Sequence, residues 1–189
     1  MNERNILCID LKSFFASVEC VERNLDPFTT PLIVADPSRK GGAITLAVTP
    51  YMKTLGVPSR GRVFEIPKNI KYITAPPRMS LYVKKSKEVI NCFLDFISKE
   101  DMHVYSIDEA FLDVTDYLKL YKMDDVTLAK TIMARIKEKT GLTSTCGIGP
   151  NLLLAKVALD IESKHSPDFI AKWTYEDVKT KLWNITPLD

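Results

Sequence analysis

The order of apolar segments along the chain most limits the folds that it can adopt. Residues 5–11 form a short apolar run, which predicts a buried strand with Asp10 near its carboxyl end. After a basic stretch, the apolar residues of five further segments have the spacing expected of, in order, a helix, two strands, a helix and a strand. These segments are 79–98, 103–107, 110–114, 125–139 and 143–148. Residues 12–23 supply a helix after the first strand. The result is β-α-β-β-α-β, the ferredoxin-like split pattern of an α+β fold.

The stretch between the first and second long helical patterns is strongly basic. Segment 37–87 contains eleven basic residues and one acidic residue, whereas the rest of the chain carries 15 basic and 23 acidic residues, so that the whole has a net charge of only +2. We expect this segment to be a small basic α/β insertion in the acidic sheet domain. Its charges are either a solvated face or an anion-binding surface.

The cysteines and the N-terminus indicate an intracellular protein. Cys8, Cys20, Cys92 and Cys146 form no CxxC or Cys/His pair, which favours core thiols in a reducing compartment. No apolar run approaches the roughly 18 residues that a membrane-spanning helix needs, and the first ten residues lack a signal-peptide core. We expect a soluble, cytoplasmic protein that does not contact a membrane.

Three carboxylates are expected to meet at one edge of the sheet. Asp10 ends the first strand, and Asp108 and Glu109 lie at the junction of the two strands that follow the long helix. Adjacent residues of a strand point to opposite faces, so Asp108 and Glu109 share a site only if a turn or bulge intervenes. Carboxylates without His or Cys nearby select Mg²⁺ or Mn²⁺. The alternative is an ordinary acidic hairpin tip at the surface.

Four motifs in order resemble those of the Y-family, or translesion, DNA polymerases. They are IDLKSFFASVE at 9–19, PRMSLY at 77–82, YSIDEAFLD at 105–113, and GIGPN at 147–151 with LAK at 154–156. Within that family, the stretch DIESKH at 160–165 looks most like the UmuC-type (ImpB/MucB/SamB) branch. The family's Asp-x-x-Lys spacing is one residue longer here, from Asp160 to Lys164.

The resemblance implies a domain organisation. It assigns 1–13 and 77–170 to a discontinuous catalytic palm, 14–76 to the fingers, and 171–189 to a linker and the start of a thumb, with the thumb and little-finger domains absent. Those domains make most phosphate contacts in the family, so we expect weak DNA binding and little processive synthesis from this chain alone.

The resemblance also implies a role for individual residues. Asp10, Asp108 and Glu109 become catalytic residues that hold two Mg²⁺ ions, or Mn²⁺, together with the backbone carbonyl of Leu11. The substrate-binding positions are Phe14, Phe15, Tyr51, Lys53 and Lys164. Phe15 matches the steric gate that leaves no volume for a ribose 2′-OH, although a ring at this spacing can also be a core aromatic. Lys53 and Lys164 match basic residues directed at the triphosphate.

The function implied is template-directed addition of dNTPs to a primer 3′-OH during DNA damage tolerance and repair. The expected partners are primer-template DNA and dNTP, with a sliding clamp and a recombinase reached through regions absent here. Two alternatives stay open from the residues themselves. One is a nucleotidyl cyclase-like enzyme, which also places carboxylates on a ferredoxin-like sheet; the other is a nucleic-acid-binding fragment without catalysis.

Overall fold

The computed structural model describes residues 3–185, apart from the side chain of Lys40, and has an α+β fold. The chain divides into two compact units. The first unit comprises Met1–Asp10, Ile90–Lys139 and Ser144–Asp189, and the second comprises Leu11–Val89 and Thr140–Thr143. The assignment of 1–13 with 77–170 to a palm and of 14–76 to fingers stays a prediction.

The elements follow the predicted order with several changes in length. The strands are β1 (Ile6–Leu11), β2 (Leu32–Val34), β3 (Ala47–Val48), β4 (Ile73–Ala75), β5 (Met102–Val104), β6 (Glu109–Asp113), β7 (Ser144–Gly149) and β8 (Ile170–Lys172). The α-helices are α1 (Phe14–Val21), α2 (Pro50–Thr54), α3 (Met79–Leu94), α4 (Tyr117–Tyr121), α5 (Asp125–Thr140), α6 (Leu152–Val157) and α7 (Asp177–Thr180).

The first unit is built on a five-stranded sheet in the order β5-β6-β1-β7-β8. β6 is antiparallel to both β1 and β5, and β8 is parallel to β7. The order of the first four strands is that of a ferredoxin-like sheet, as predicted, and β8 extends one edge. Five of the six residues of β1 are buried and Asp10 is the exception, because a central strand covered on both faces is apolar except where it reaches the sheet edge.

A short helix packs closely on one face of this sheet. Ala155 of α6 and Leu159 beyond it form a buried cluster with Ile6, Cys8 and Phe111 of β1 and β6. These strand residues share the face on which Asp10 and Glu109 lie, because side chains two residues apart point the same way. The helix therefore brings its polar residues toward the two carboxylates.

The second unit has a smaller sheet in the order β3-β2-β4, in which β2 is antiparallel to β3 and parallel to β4. Its core joins Ile33 and Val48 of the sheet to Met52 of α2. Thr49 caps α2, since its hydroxyl oxygen accepts a hydrogen bond from the Met52 amide at 3.3 Å. Pro50 follows at the first helical position, where a missing N–H costs nothing.

The structure adds details that the sequence analysis did not give. Residues Val63–Glu65 form a 3₁₀ turn, and the helix α4 was not predicted. Residues 171 and 172 belong to strand β8 because they pair with Gly147 and Ile148, and the assignment of 171–189 to a linker and the start of a thumb stays a prediction. The predicted entrance to a thumb at 186–189 lies outside the described residues.

The four cysteines are buried and form no disulfide within residues 3–185, as the spacing predicted. Among residues 3–185, no helix combines the length and the apolar character needed to cross a bilayer.

Candidate active site

Asp10 and Glu109 lie directly opposite each other on adjacent strands. Their Cα atoms are register partners in the antiparallel pair β1 and β6, so their side chains leave the sheet on the same face. Only 18% of the Asp10 side chain and 10% of the Glu109 side chain are exposed. Two partly buried carboxylates on neighbouring strand positions repel each other unless positive charges neutralise them.

Asp108 reaches the same sheet edge through a turn and a bulge. The amides of Tyr105 and Ser106 both donate to the carbonyl oxygen of Glu109 at 3.0 Å, so two residues of one strand face one residue of the other, which defines a β-bulge. Asp108 lies in the bend before β6, where its Oδ1 accepts a hydrogen bond from the Ser106 hydroxyl at 2.8 Å. Asp108 therefore lies in a bend and not in the strand, so that it need not point to the sheet face opposite Glu109.

The pKa of Asp10 responds to the two other carboxylates. Burial is the largest effect on Asp10 and raises its pKa to about 6; Lys164 opposes the rise, whereas the negative charges of Asp108 and Glu109 add to it. The sheet therefore collects the predicted acids Asp10, Asp108 and Glu109 in one neighbourhood, together with the predicted Lys164.

Two lysines hold these acids in the structure. Lys156 Nζ lies 2.9 Å from Glu109 and 3.0 Å from Asp160. Lys164 Nζ lies 3.4 Å from Asp10 and 2.7 Å from the same Asp160. Burial disfavours both ammonium charges, but the hydrogen bonds that the lysines donate to the acids outweigh it, and the pKa values of both lysines are raised.

The donor set fits Mg²⁺ in chemistry, because Asp10, Asp108 and Glu109 offer only oxygen ligands. Within the described range 3–185, no three side chains of His, Cys, Asp or Glu stand together as a ready cation site. In the structure Lys164 contacts Asp10, Lys156 contacts Glu109, and the Ser106 hydroxyl donates to Asp108. A divalent cation at these oxygens has to compete with the ammonium groups.

The helix that carries Lys156 has an ordinary N-cap but continues into an unusual turn. Asn151 caps α6, its Oδ1 accepting from the Leu154 amide at 2.9 Å. After α6 the chain forms a π-helical turn, Ala158–Glu162, and then a 3₁₀ turn, Ser163–His165. The extra residue between Asp160 and Lys164 falls in this stretch, and Lys164 still reaches both Asp160 and Asp10. π-Helical turns are rare and occur frequently at functional sites.

The predicted aromatic residues lie in the second unit, next to a buried charge. Phe14 is 3% exposed and packs as a core residue. Phe15 is half-buried and stacks on Tyr82, with ring centroids 4.5 Å apart and planes 16° apart. The Tyr82 hydroxyl donates to Glu19 at 2.7 Å, and Arg78 donates two hydrogen bonds to the same carboxylate, at 3.0 and 2.6 Å.

The remaining predicted residues are placed as follows. Leu11 ends β1 and is buried. Tyr51 and Lys53 lie on α2 in the second unit, the first half-buried and the second exposed. Their roles toward a substrate stay predictions.

Sequence reasoning left three contributors to the site unassigned. Asp160 bridges both lysines, Lys156 holds Glu109, and the Cys8 thiol donates to Glu109 Oε1 at 3.2 Å. Burial raises the pKa of Cys8 far above its ordinary value, so this thiol stays protonated. The i, i+4 spacing of residues 156, 160 and 164 was the available signal, since such residues adjoin along a helix.

The protein is similar to curated repair proteins over nearly its whole length. UvrX of Bacillus subtilis (strain 168), by its name a candidate UV-damage repair protein, is 41% identical over 186 residues, which are 98% of this chain and 43% of that relative. DNA polymerase IV 2 of the same organism is 34% identical over 97% of this chain and 44% of its own length. The chain thus spans less than half the length of these curated relatives.

Solved structures and a family model agree with these similarities. The crystal structure of DinB from Sulfolobus solfataricus matches with a TM-score of 0.76 and 28% identity, over 93% of this chain and 50% of that one. An insertion ternary complex of Dbh DNA polymerase matches with a TM-score of 0.77 and 27% identity, over 93% of this chain and 50% of that one. The model of the impB/mucB/samB family matches residues 9–160. The chain belongs to the impB/mucB/samB family, with the α+β fold of the palm and fingers portion of Y-family DNA polymerases.

Proposed function

We propose that this chain carries the catalytic portion of a translesion-type DNA polymerase that adds dNTPs to a primer 3′-OH by nucleotidyl transfer. The observation that supports this most is that Asp10 and Glu109 are register partners, with Asp108 in the bend before Glu109 and with Lys164 and Lys156 in contact with the pair. Related proteins bear the name DNA polymerase IV, and one matched structure is a ternary complex of a DNA polymerase. Primer-template DNA and dNTP are therefore the proposed partners.

In the proposed chemistry, the carboxylates and the cationic side chains have different roles. Bound to Asp10, Asp108, Glu109 and the Leu11 carbonyl, two Mg²⁺ ions would lower the pKa of the attacking hydroxyl and neutralise the leaving phosphate oxygens. Lys164 supplies an ammonium group for the triphosphate, and Lys53 keeps its predicted role as a substrate-binding residue. No side chain of this site is required as a covalent nucleophile, because the primer provides the attacking oxygen.

The double substitution Asp108→Ala with Glu109→Ala tests the carboxylate assignment. We expect primer extension to disappear while binding of primer-template DNA is largely retained, because the carboxylates hold cations and make no phosphate contacts. Extension is measured with the chain alone and with the chain extended through the remaining length of its relatives. Asp168→Asn is the control, since Asp168 pairs with Lys130 at the exposed surface. Extension retained in the double variant would refute the assignment.

Phe15→Ala tests the sugar gate. A flat ring beneath the sugar excludes a 2′-OH by volume, so its removal is expected to raise ribonucleotide incorporation relative to dNTP incorporation. Phe93→Leu is the control, because Phe93 is a core phenylalanine, 3% exposed, that lies outside the predicted substrate-binding positions. An unchanged ratio of rNTP to dNTP incorporation in Phe15→Ala would rule out the gate.

A further inference from the structure

Asp160 is the shared partner of both lysines at the carboxylate site. Lys156 and Lys164 each contact Asp160, at 3.0 and 2.7 Å, and each also contacts one proposed cation ligand, Glu109 or Asp10. Asp160 itself lies outside the proposed ligand set. Each ammonium group therefore contacts one carboxylate that is a proposed cation ligand and a second carboxylate, that of Asp160, that is not.

The spacing and exposure of these side chains allow the lysines to change partners. Residues 156, 160 and 164 are four apart on a continuous helical path that includes the π-helical turn. The Lys156 and Lys164 side chains are 31% and 37% exposed, so their long stems have solvent on one side. Burial alone would raise the pKa of Asp160, but hydrogen bonds from Lys164 and Lys156 keep it below its ordinary value, so Asp160 remains an anion that can hold them.

We propose that Asp160 is a positioning residue that retains Lys156 and Lys164 at the site when they release Glu109 and Asp10 to divalent cations. This inference rests on the proposed function, because it takes Asp10 and Glu109 as cation ligands. Before cations bind, the lysines act as internal counterions that relieve the repulsion between the acids. After release, Asp160 keeps both ammonium groups pointed at the site, where they are available to a triphosphate.

The first test observes the lysine ammonium groups by ¹⁵N NMR of the full chain during titration with Mg²⁺ alone. An ammonium group held by a carboxylate exchanges its protons slowly with water and stays visible. In the native chain we expect the signals of Lys156 and Lys164 to shift on adding Mg²⁺ and to remain visible. In Asp160→Asn the same signals are expected to be visible before Mg²⁺ and to disappear at saturation, because no carboxylate then retains them.

Matched variants separate retention from a general effect of charge. Asp168→Asn removes the same charge from an exposed ion pair with Lys130, and its Lys156 and Lys164 signals should behave as in the native chain. Asp160→Glu keeps a carboxylate and should restore visible signals at saturating Mg²⁺. Signals that persist in Asp160→Asn at saturation, or that do not respond to Mg²⁺ in a native chain that binds it, would overturn the inference.

A second measurement tests the inference if Asp160→Asn does not fold. Lys164→Met removes the competitor at Asp10 and should raise the Mg²⁺ affinity measured by calorimetry about two- to fivefold, the range expected for an ion pair at partly exposed groups. An unchanged affinity would count against the inference alone. Absence of Mg²⁺ binding in the native chain and in Lys164→Met would instead refute the proposed cation site, and with it the inference.

Discussion

At the scale of single residues, Glu19 shows how a buried charge organises an aromatic cluster. Its side chain is fully buried and accepts hydrogen bonds from Arg78, Tyr82 and Arg23. Burial alone would raise its pKa, but these three donors outweigh it and hold the pKa below its ordinary value. Tyr82 is in turn the stacking partner of Phe15. The carboxylate therefore anchors the ring on which the proposed sugar gate rests.

Glu19→Gln is expected to destabilise the fold by about 3 kcal/mol at neutral pH, because it leaves two guanidinium groups without their shared anion. A carboxyl with a lowered pKa in the folded state stabilises above its ordinary pKa of 4.5, and that contribution is lost as the pH falls through the folded value. The difference in urea unfolding between native and variant should therefore shrink below pH 4.5.

Glu88→Gln serves as the control for this prediction, because Glu88 lies in a partly exposed pair with Lys85. Its cost should stay below about 1 kcal/mol. A Glu19→Gln difference that stayed constant through the acid range would show that the carboxylate charge does not stabilise the cluster.

At the scale of elements, the close approach of α6 to β7 determines where the lysines stand. A Cβ built on Gly147 would lie 2.8 Å from the Leu159 Cα, and one on Gly149 would lie 2.6 Å from the Ala155 amide nitrogen. Real Cβ atoms do not come so near to backbone. Glycine at these two strand positions thus lets the helix lie directly on the strand, with Lys156 one residue beyond Ala155.

Gly147→Ala is expected to lower stability by about 3 kcal/mol, since the added methyl group meets backbone that cannot rotate away. Thermal unfolding measures the loss, and the Lys156 ammonium signal should change with it, because the helix must move. Gly42→Ala is the matched control, as nothing lies within 4 Å of a Cβ there. Equal melting temperatures for the two variants would refute the steric argument.

At the scale of the whole molecule, the two units differ in charge. The second unit contains thirteen basic and six acidic residues, for a net +7, and the first contains thirteen basic and eighteen acidic residues, for a net −5. The near-neutral total hides this separation. A unit of net positive charge is the part of the chain expected to meet nucleic-acid phosphates.

Lys68→Gln with Lys71→Gln should weaken binding to primer-template DNA and reduce the dependence of log K on log salt by about 2, if each exposed lysine neutralises one phosphate. Fluorescence anisotropy across a salt series measures both quantities. Lys119→Gln with Lys122→Gln removes two exposed lysines from the acidic unit and should leave the slope unchanged. Equal slopes for the two double variants would argue against the basic unit as the DNA-facing part.

The sequence by itself determined the ferredoxin-like order of the main strands and helices, the candidate acids Asp10, Asp108 and Glu109, and the charge separation, because periodicity and motif spacing report local structure. The tertiary structure alone determined which lysine ammonium groups contact those acids. Lys156 reaches Glu109 across 47 positions of the chain, and that contact depends on sheet register, on glycines that admit the helix and on a π-helical turn. Such contacts follow from the packing of distant segments, which no local pattern of residues 156–164 encodes.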